Sequence, residues 1–272
     1  MLREKTISDI RVDVVIPVLN EAHVLEASVA TVREFLQKQV GFKWRIVVVD
    51  NGSTDGTLKV AENLAETFDD VACVHLKERG RGRALRESWR VSTADIVLYT
   101  DVDLSTELAA LPKLVYALGR EGYDIAIGSR LAKGANTKRC LKREITSRAY
   151  NVILKCLLFV KFKDAQCGFK AVTRRIVEDL VPQVKDQSWF FDTELLVLAE
   201  RRGYRIKEIP VTWIEDDDSR VRIVPTAWED MKGVFRLRWL FVKEKLARVG
   251  TLKPGKAHER PPAERISNAP RQ

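Results

Sequence analysis

Four short apolar runs, each followed by a polar loop and then by helical spacing, constrain how this chain can fold. They are Val12-Asp13-Val14-Val15-Ile16-Pro17-Val18, Arg45-Ile46-Val47-Val48-Val49-Asp50, residues 71–76 and Ile96-Val97-Leu98-Tyr99-Thr100. Runs of this length, rich in valine and isoleucine, read as strands buried on both faces. The spacing predicts helices over 23–37, 57–68 and 84–91 between them, and further helices over 108–120, 143–162 and 191–202. A strand over 123–128, a short one at Ala171-Val172, an extended segment over 204–214 and a long helix over 224–249 complete the reading. Strands that alternate with helices imply the α/β class: a mostly parallel, doubly wound sheet with helices on both faces.

In such a sheet the ligand crevice lies beyond the carboxyl ends of the strands. Three ends here carry suitable loops: Asn20-Glu21, then Asp50-Asn51-Gly52-Ser53-Thr54-Asp55-Gly56, then Asp101-Val102-Asp103-Leu104-Ser105. Two carboxylates one residue apart at a strand exit are hard oxygen donors, suited to Mg²⁺ or Mn²⁺ shared with substrate phosphates. The competing reading makes Asp103 the cap of a helix beginning near Thr106. Arg79 and Arg83 flank Gly80 and Gly82. A basic glycine-rich turn opening a helix is a candidate diphosphate contact, against the alternative of a plain turn.

With 272 residues, one domain is expected over 12–249, between an N-terminal arm over 1–11 and a tail over 250–272 whose composition predicts disorder. No apolar stretch approaches the roughly 18 residues that read as a membrane span, and the first residues lead into no signal-type segment, so a cytoplasmic location is expected. Four cysteines without C-x-x-C spacing predict reduced thiols rather than a zinc site. The formal charge of +9 is concentrated in 129–163 and 219–272. Segregation of that kind favours an anionic partner such as nucleic acid, a phosphorylated substrate or a membrane surface, with a merely solvated basic face as the competing reading.

The run Val15-Ile16-Pro17-Val18-Leu19-Asn20-Glu21, then Val47-Val48-Val49-Asp50-Asn51-Gly52-Ser53-Thr54-Asp55-Gly56-Thr57, then Asp101-Val102-Asp103 resembles, in order and spacing, the family 2 glycosyltransferases of the GT-A fold. Asp164-Ala165-Gln166-Cys167-Gly168-Phe169-Lys170 and Trp189-Phe190-Phe191-Asp192-Thr193-Glu194-Leu195-Leu196 are similar to the polyprenyl-phosphate branch, the dolichyl-phosphate mannose synthases and β-glucosyltransferases. The resemblance covers roughly residues 12–245. It implies inverting, metal-dependent transfer of one hexose from UDP-glucose or GDP-mannose to a polyprenyl phosphate. It implies that Asp50 binds the base, and that Asp101 and Asp103, with Val102 between them, engage the metal and diphosphate. Pro17, Asn20, Glu21, Ser53 and Asp55 would line the nucleotide pocket, joined by Arg79 and Arg83. Arg130, Arg143 and Ser147 match positions of acceptor-phosphate contacts, Gln166 accompanies them, and Arg220 or Arg222 comes from a loop expected to close over the acceptor. Asp101, Asp103, Arg130 and Arg220 form the candidate catalytic set. Mannose synthases usually carry glutamine two positions after the second aspartate, where this chain has Ser105, so the donor sugar stays open.

A sugar hydroxyl must lose its proton as it attacks, which calls for a general base. A phosphate monoester, with a second pKa near ~6, has already lost it. The need is then to hold one anion beside another, and arginine suits it because its planar fork matches phosphate oxygens in pairs. Asp192 and Glu194 are assigned to the acceptor side. If the acceptor were a soluble hydroxyl, either could serve as base, and that alternative remains open. The basic amphipathic segments 143–163 and 224–249 could lie at a membrane interface. The expected partners are therefore a nucleotide sugar, a polyprenyl phosphate and the cytosolic membrane face, with a separate membrane-anchoring partner left open. Nucleic acid is not expected, because the ordered nucleotide-sugar motifs have no role in binding it.

Overall fold

A computed structural model describes residues 2, 5–138, 141–214 and 223–251, with the side chains of 141–143, 223–227 and 248–251 outside the description. The first half runs β1 (Arg11–Val18), α1 (Leu25–Gln39), β2 (Lys43–Asp50), α2 (Thr57–Thr67), β3 (Val71–His75), α3 (Arg81–Val91), β4 (Ile96–Thr100), α4 (Leu111–Gly119) and β5 (Ile125–Ser129). The second half runs β6 (Asn136–Lys138), α5 (Leu141–Leu158), β7 (Phe169–Thr173), α6 (Arg174–Asp179), α7 (Phe191–Arg201), β8 (Ile206–Pro210), β9 (Thr212–Ile214) and α8 (Ile223–Thr251).

Seven strands form one sheet in the order β3-β2-β1-β4-β7-β5-β8, and β6 pairs with β9 in a small second sheet. Every pairing in the large sheet is parallel except the two that β7 makes. Successive strand residues point to opposite faces, so both faces need cover. Val15, Val47, Val97 and Tyr99 pack into a core with Trp89 of α3, Leu154 of α5, Leu195 of α7 and Val234 of α8. Val14, Ile46, Val48 and Leu98 pack into the other with Val29 of α1, Ala61 of α2 and Leu114 of α4. The doubly wound expectation holds.

Three details differ from the sequence expectation. The helix over 108–120 is a 3-10 turn at Leu108–Ala110 followed by α4, because Pro112, lacking an N–H, fits only a first helical turn. Ala171-Val172 lies in the middle of a five-residue strand buried on both faces. The helix after Gly80 begins at Arg81 rather than Ala84. The arm is held to the domain, since Lys5 Nζ lies 2.7 Å from Asp95 and Ile10 is fully buried. Cys73, Cys156 and Cys167 are free thiols. Most of the tail, 252–272, lies outside the described residues.

Because β7 runs against its neighbours, its entry sits on the same rim as the exits of β1, β2, β4 and β5: Phe169 pairs with Thr100. Residues 164–168 are thereby delivered beside Asp101.

Candidate active site

The loops after β1 and β2 lock together through backbone donors. Asn20, held at φ 58°, accepts a hydrogen bond at Oδ1 from the Thr54 amide at 2.8 Å, and its own amide donates to Ser53 Oγ at 2.9 Å. The Glu21 amide donates to Thr57 Oγ1 at 2.8 Å, and Asp55 Oδ1 accepts from the Thr57 amide at 2.9 Å at the start of α2. These Thr57 hydrogen bonds hold the exposed Asp55 carboxyl below its usual pKa. Asp50, fully buried at the end of β2, accepts the Ser53 amide at 3.3 Å and meets His75 Nδ1 of β3 at 2.8 Å. Pro17 is half-buried two residues before the loop. Pro17, Asn20, Glu21, Asp50, Ser53 and Asp55 thus occupy one rim. His75, at the end of β3, lies outside the three motif loops, and nothing in the sequence marks it.

The glycine-rich turn has a different job from the one expected. A Cβ on Gly80, at φ 151°, would sit 2.5 Å from the Gln187 carbonyl oxygen, and one on Gly82 would sit 2.5 Å from Phe191 Cβ. The glycines let the start of α3 press against the start of α7. There the Gly82 and Arg83 amides donate to the carbonyls of Ser188 and Gln187 at 3.1 and 3.0 Å, so these helix-opening N–H groups are spent on protein. Arg79 Nε reaches the Gly52 carbonyl at 3.3 Å and Arg83 pairs with Glu78. The residue between the glycines, Arg81, is the one aimed into the site.

Arg81 donates to Asp101 Oδ1 at 2.9 Å and to Asp192 Oδ2 at 2.5 Å. Its guanidinium lies 5.0 Å from the ring centroids of both Tyr99 and Trp189. Burial alone would lower its pKa, but Tyr99, Asp101 and Asp192 together raise it, so it remains a cation. Asp101 is fixed on its other side by Gly168, where a Cβ would fall 1.6 Å from Oδ2. Val102 is buried, and Asp103 Oδ1 accepts the Ser105 amide at 3.0 Å in an exposed turn with Leu104 at φ 50°. No helix begins at Thr106, so Asp103 caps no helix.

Asp192 is enclosed by donors: Tyr99 Oη at 2.6 Å, Arg81, and Lys170 Nζ at 3.2 Å. Burial pushes its carboxyl up, and the Lys170 and Arg81 charges more than reverse this, leaving its pKa lowered. A carboxylate so held is a poor proton acceptor. Glu194 lies elsewhere: it takes both guanidinium nitrogens of Arg236 on α8 at 2.7 and 2.8 Å and the Asp186 amide at 2.9 Å. It clamps α7 to α8.

Arg130, at the exit of β5, is bidentate to the fully buried Asp164 at 2.8 Å on both contacts and stacks 5.6 Å from the Trp213 ring centroid. Asp164 and Asp101 both help to raise its pKa against the effect of burial. Arg130 therefore lines the site as a partnered charge, only 13% exposed, rather than as a free phosphate fork. Gln166 donates to Asp230 Oδ2 at 2.6 Å, while Ser147 uses its carbonyl to accept from Asn151 at 2.9 Å. The Arg143 side chain, Arg220 and Arg222 lie outside the described residues. Among the described residues no cluster of three or more His, Cys, Asp or Glu side chains could hold a metal ion.

A family model described as glycosyl transferase family 2 matches residues 13–181. The glycosyltransferase AglD of Haloferax volcanii is 35% identical over 92% of this chain, which spans only 40% of that protein. The dolichyl-phosphate beta-glucosyltransferase of Homo sapiens is 31% identical over 85% of this chain and 76% of that protein. Among solved structures, the UDP complex of glucosyl-3-phosphoglycerate synthase from Mycobacterium tuberculosis aligns with a TM-score of 0.63 over 90% of this chain and 82% of that one, at 21% identity, a likeness of fold. With the Asn20, Asp50 and Asp101 loops on one rim of a GT-A sheet and the family model running through all three, the chain belongs to glycosyl transferase family 2.

Proposed function

We propose that this glycosyltransferase moves a hexose, glucose by the name its human relative carries, from a nucleotide diphosphate sugar to a polyprenyl phosphate with inversion at the anomeric carbon. The observation that carries the reading is the state of the acceptor-side carboxylates. Asp164 and Asp192 are each buried and ion-paired, which supports a nucleophile that arrives ionised.

Asp50 and the Asn20 and Ser53 loops would receive the nucleoside. Asp101 and Asp103 would hold Mg²⁺ or Mn²⁺, ions present in crystals of the mycobacterial synthase. Bound there, such an ion supplies charge to the departing diphosphate. Arg81 stands between Asp101 and Asp192 and places a fixed cation where charge moves from acceptor to leaving group. An acceptor phosphate oxygen attacks the anomeric carbon as the bond to the nucleoside diphosphate breaks, and no proton has to be removed.

Asp230 favours a second reading, a soluble hydroxyl acceptor. Burial raises its carboxyl to about 7, against the lowering effect of the Tyr150 and Gln166 side chains, and among the described residues its Oδ1 has no hydrogen-bond partner, which are qualities of a general base. It is only 1% exposed, so an acceptor could reach it only after α8 moved. The test is to incubate the protein with Mg²⁺, polyprenyl phosphate and labelled UDP-glucose or GDP-mannose, with and without EDTA. EDTA-sensitive labelled lipid supports the first reading. Folded protein that labels no lipid from either donor contradicts it.

A further inference from the structure

Lys170 is a cation that no ligand can touch. It is the second residue of β7, with apolar Phe169 and Ala171 on either side, and it is 0% exposed. A strand buried on both faces calls for apolar residues, and replacing a buried ion pair by apolar groups of similar volume is often neutral or stabilising. Stability alone therefore gives no reason for an ammonium in this strand. A residue that breaks the local rule of burial points instead to a site.

Its partners say which. Lys170 Nζ donates to the Cys167 carbonyl at 2.6 Å and to Tyr99 Oη at 3.1 Å, and lies 3.2 Å from Asp192 Oδ1. Tyr99 donates to the same Oδ1 at 2.6 Å, so one oxygen of Asp192 is held from the sheet. The other, Oδ2, takes one nitrogen of Arg81 at 2.5 Å, and the second nitrogen of Arg81 takes Asp101 Oδ1 at 2.9 Å. Charges of alternating sign thus run from the buried strand to the rim through Lys170, Asp192, Arg81 and Asp101, and they balance. Without Lys170 the Arg81 charge would be outweighed by two carboxylates at the edge where a diphosphate would sit. In a site shielded from water, an uncompensated carboxylate opposes a nearby anion far more than it would at the surface. Burial pushes the Asp192 carboxyl up, and Lys170 is the strongest of the groups that bring it down again.

We infer that Lys170 is a positioning residue for the transfer reaction: acting through Asp192, it sets the orientation of Arg81 and leaves the Arg81 charge available to the departing diphosphate. The inference rests on the reading that seats a nucleotide diphosphate beside Asp101. It adds how Arg81 can hold two carboxylates and still act as a cation when charge develops on the leaving group.

The test compares Lys170→Met with the double variant Lys170→Met, Asp192→Asn, in which the missing cation is matched by a missing anion. Each is assayed for steady-state transfer, for melting temperature, and for binding of UDP against uridine, or of GDP against guanosine where the wild type prefers GDP. Lys170→Met should lower kcat about 10- to 100-fold with a smaller change in the donor KM, and should weaken the nucleotide about fivefold while leaving the nucleoside unchanged. The double variant should regain about tenfold in rate and most of the nucleotide affinity. Where Lys170→Met does not fold, Lys170→Gln makes the same change of charge with a donor left for Asp192. Unchanged kcat and nucleotide affinity in the single variant would overturn the inference, as would rates that follow melting temperature with no recovery in the double variant. Equal loss of nucleotide and nucleoside binding would mark a collapsed pocket rather than an effect of charge, and would overturn it too. A wild type that binds neither nucleotide would overturn both the inference and the reading beneath it. A wild type that binds UDP yet transfers no sugar to polyprenyl phosphate would count against the proposed acceptor alone, since the comparison of nucleotide with nucleoside still decides the role of Lys170.

Discussion

The two halves of the site are held together by different means. On the donor side, Asn20, Ser53, Thr54 and Thr57 close two loops with hydrogen bonds between backbone amides and short side chains, most of them within one loop or between adjacent strand ends. On the proposed acceptor side, side chains from distant parts of the chain pair with one another: Arg81 with Asp192 and Arg130 with Asp164 as ion pairs, and Gln166 with Asp230 through a hydrogen bond. The donor half can therefore recognise a ligand with little rearrangement of its own charges. In the proposed acceptor half the described cations Arg81 and Arg130 are already committed, and an arriving phosphate would have to share them. Lys170, fully buried beside Asp192 and Tyr99, shows how far this goes, since an ammonium is tolerated in a core only when paired.

That contrast can be broken or sharpened by substitution. The largest effect is expected for Asp101→Asn, which removes a proposed metal ligand and the Arg81 partner together. Steady-state rates should fall about 10³-fold or more, and the increase in melting temperature that Mn²⁺ adds to UDP should disappear. Gly168→Ala should come next. Its Cβ would overlap Asp101 Oδ2, so the carboxylate must shift, and a displacement near 1 Å can cost about 10²-fold in rate. UDP binding without metal should survive in that variant, which would separate Asp101 from the nucleoside pocket.

Glu194→Gln should act on stability instead. Breaking a buried bidentate pair typically costs about 3–5 kcal/mol, but Arg236 is 37% exposed and partly screened, so a loss of about 1–3 kcal/mol in urea unfolding is expected, with a smaller change in rate. A large rate loss at unchanged stability would return Glu194 to the chemistry.

The smallest effect concerns Asp230. With a folded pKa of about 7 against an ordinary 3.8, the native protein binds this proton more tightly than the unfolded chain. The resulting stability is present below about pH 4 and is lost as pH rises through 7. Melting temperature should therefore fall between pH 5 and pH 8, and Asp230→Asn should flatten that slope. Were the same variant to abolish transfer while leaving stability intact, the hydroxyl-acceptor reading would gain.

The same contrast explains what was legible in the sequence. Asn20-Glu21, the Asp50 loop and Asp101-Val102-Asp103 are contiguous stretches that follow strands, so reading the strands placed them on one rim before any coordinates. The antiparallel entry of β7 was not legible, because Ala171-Val172 shows how apolar a strand is and not which way it runs. Arg81 is not marked by the sequence, although it stands between Gly80 and Gly82. Glycine pairs signal close approach, but whether a phosphate or another backbone approaches depends on residues 187–191, more than a hundred positions away. The sequence assigns Arg130 and Glu194 to the acceptor side, but their partners, Asp164 and Arg236, depend on how β5, α7 and α8 pack.

The most direct test compares polyprenyl phosphate with the polyprenol of the same chain length as acceptors for labelled glucose from UDP-glucose, under Mg²⁺ and across pH. An already ionised nucleophile expects labelled product from the phosphate alone, with a rate that rises through the second phosphate pKa near ~6 and then levels. Transfer to the polyprenol at a comparable rate, abolished by Asp230→Asn or Asp192→Asn, would contradict it.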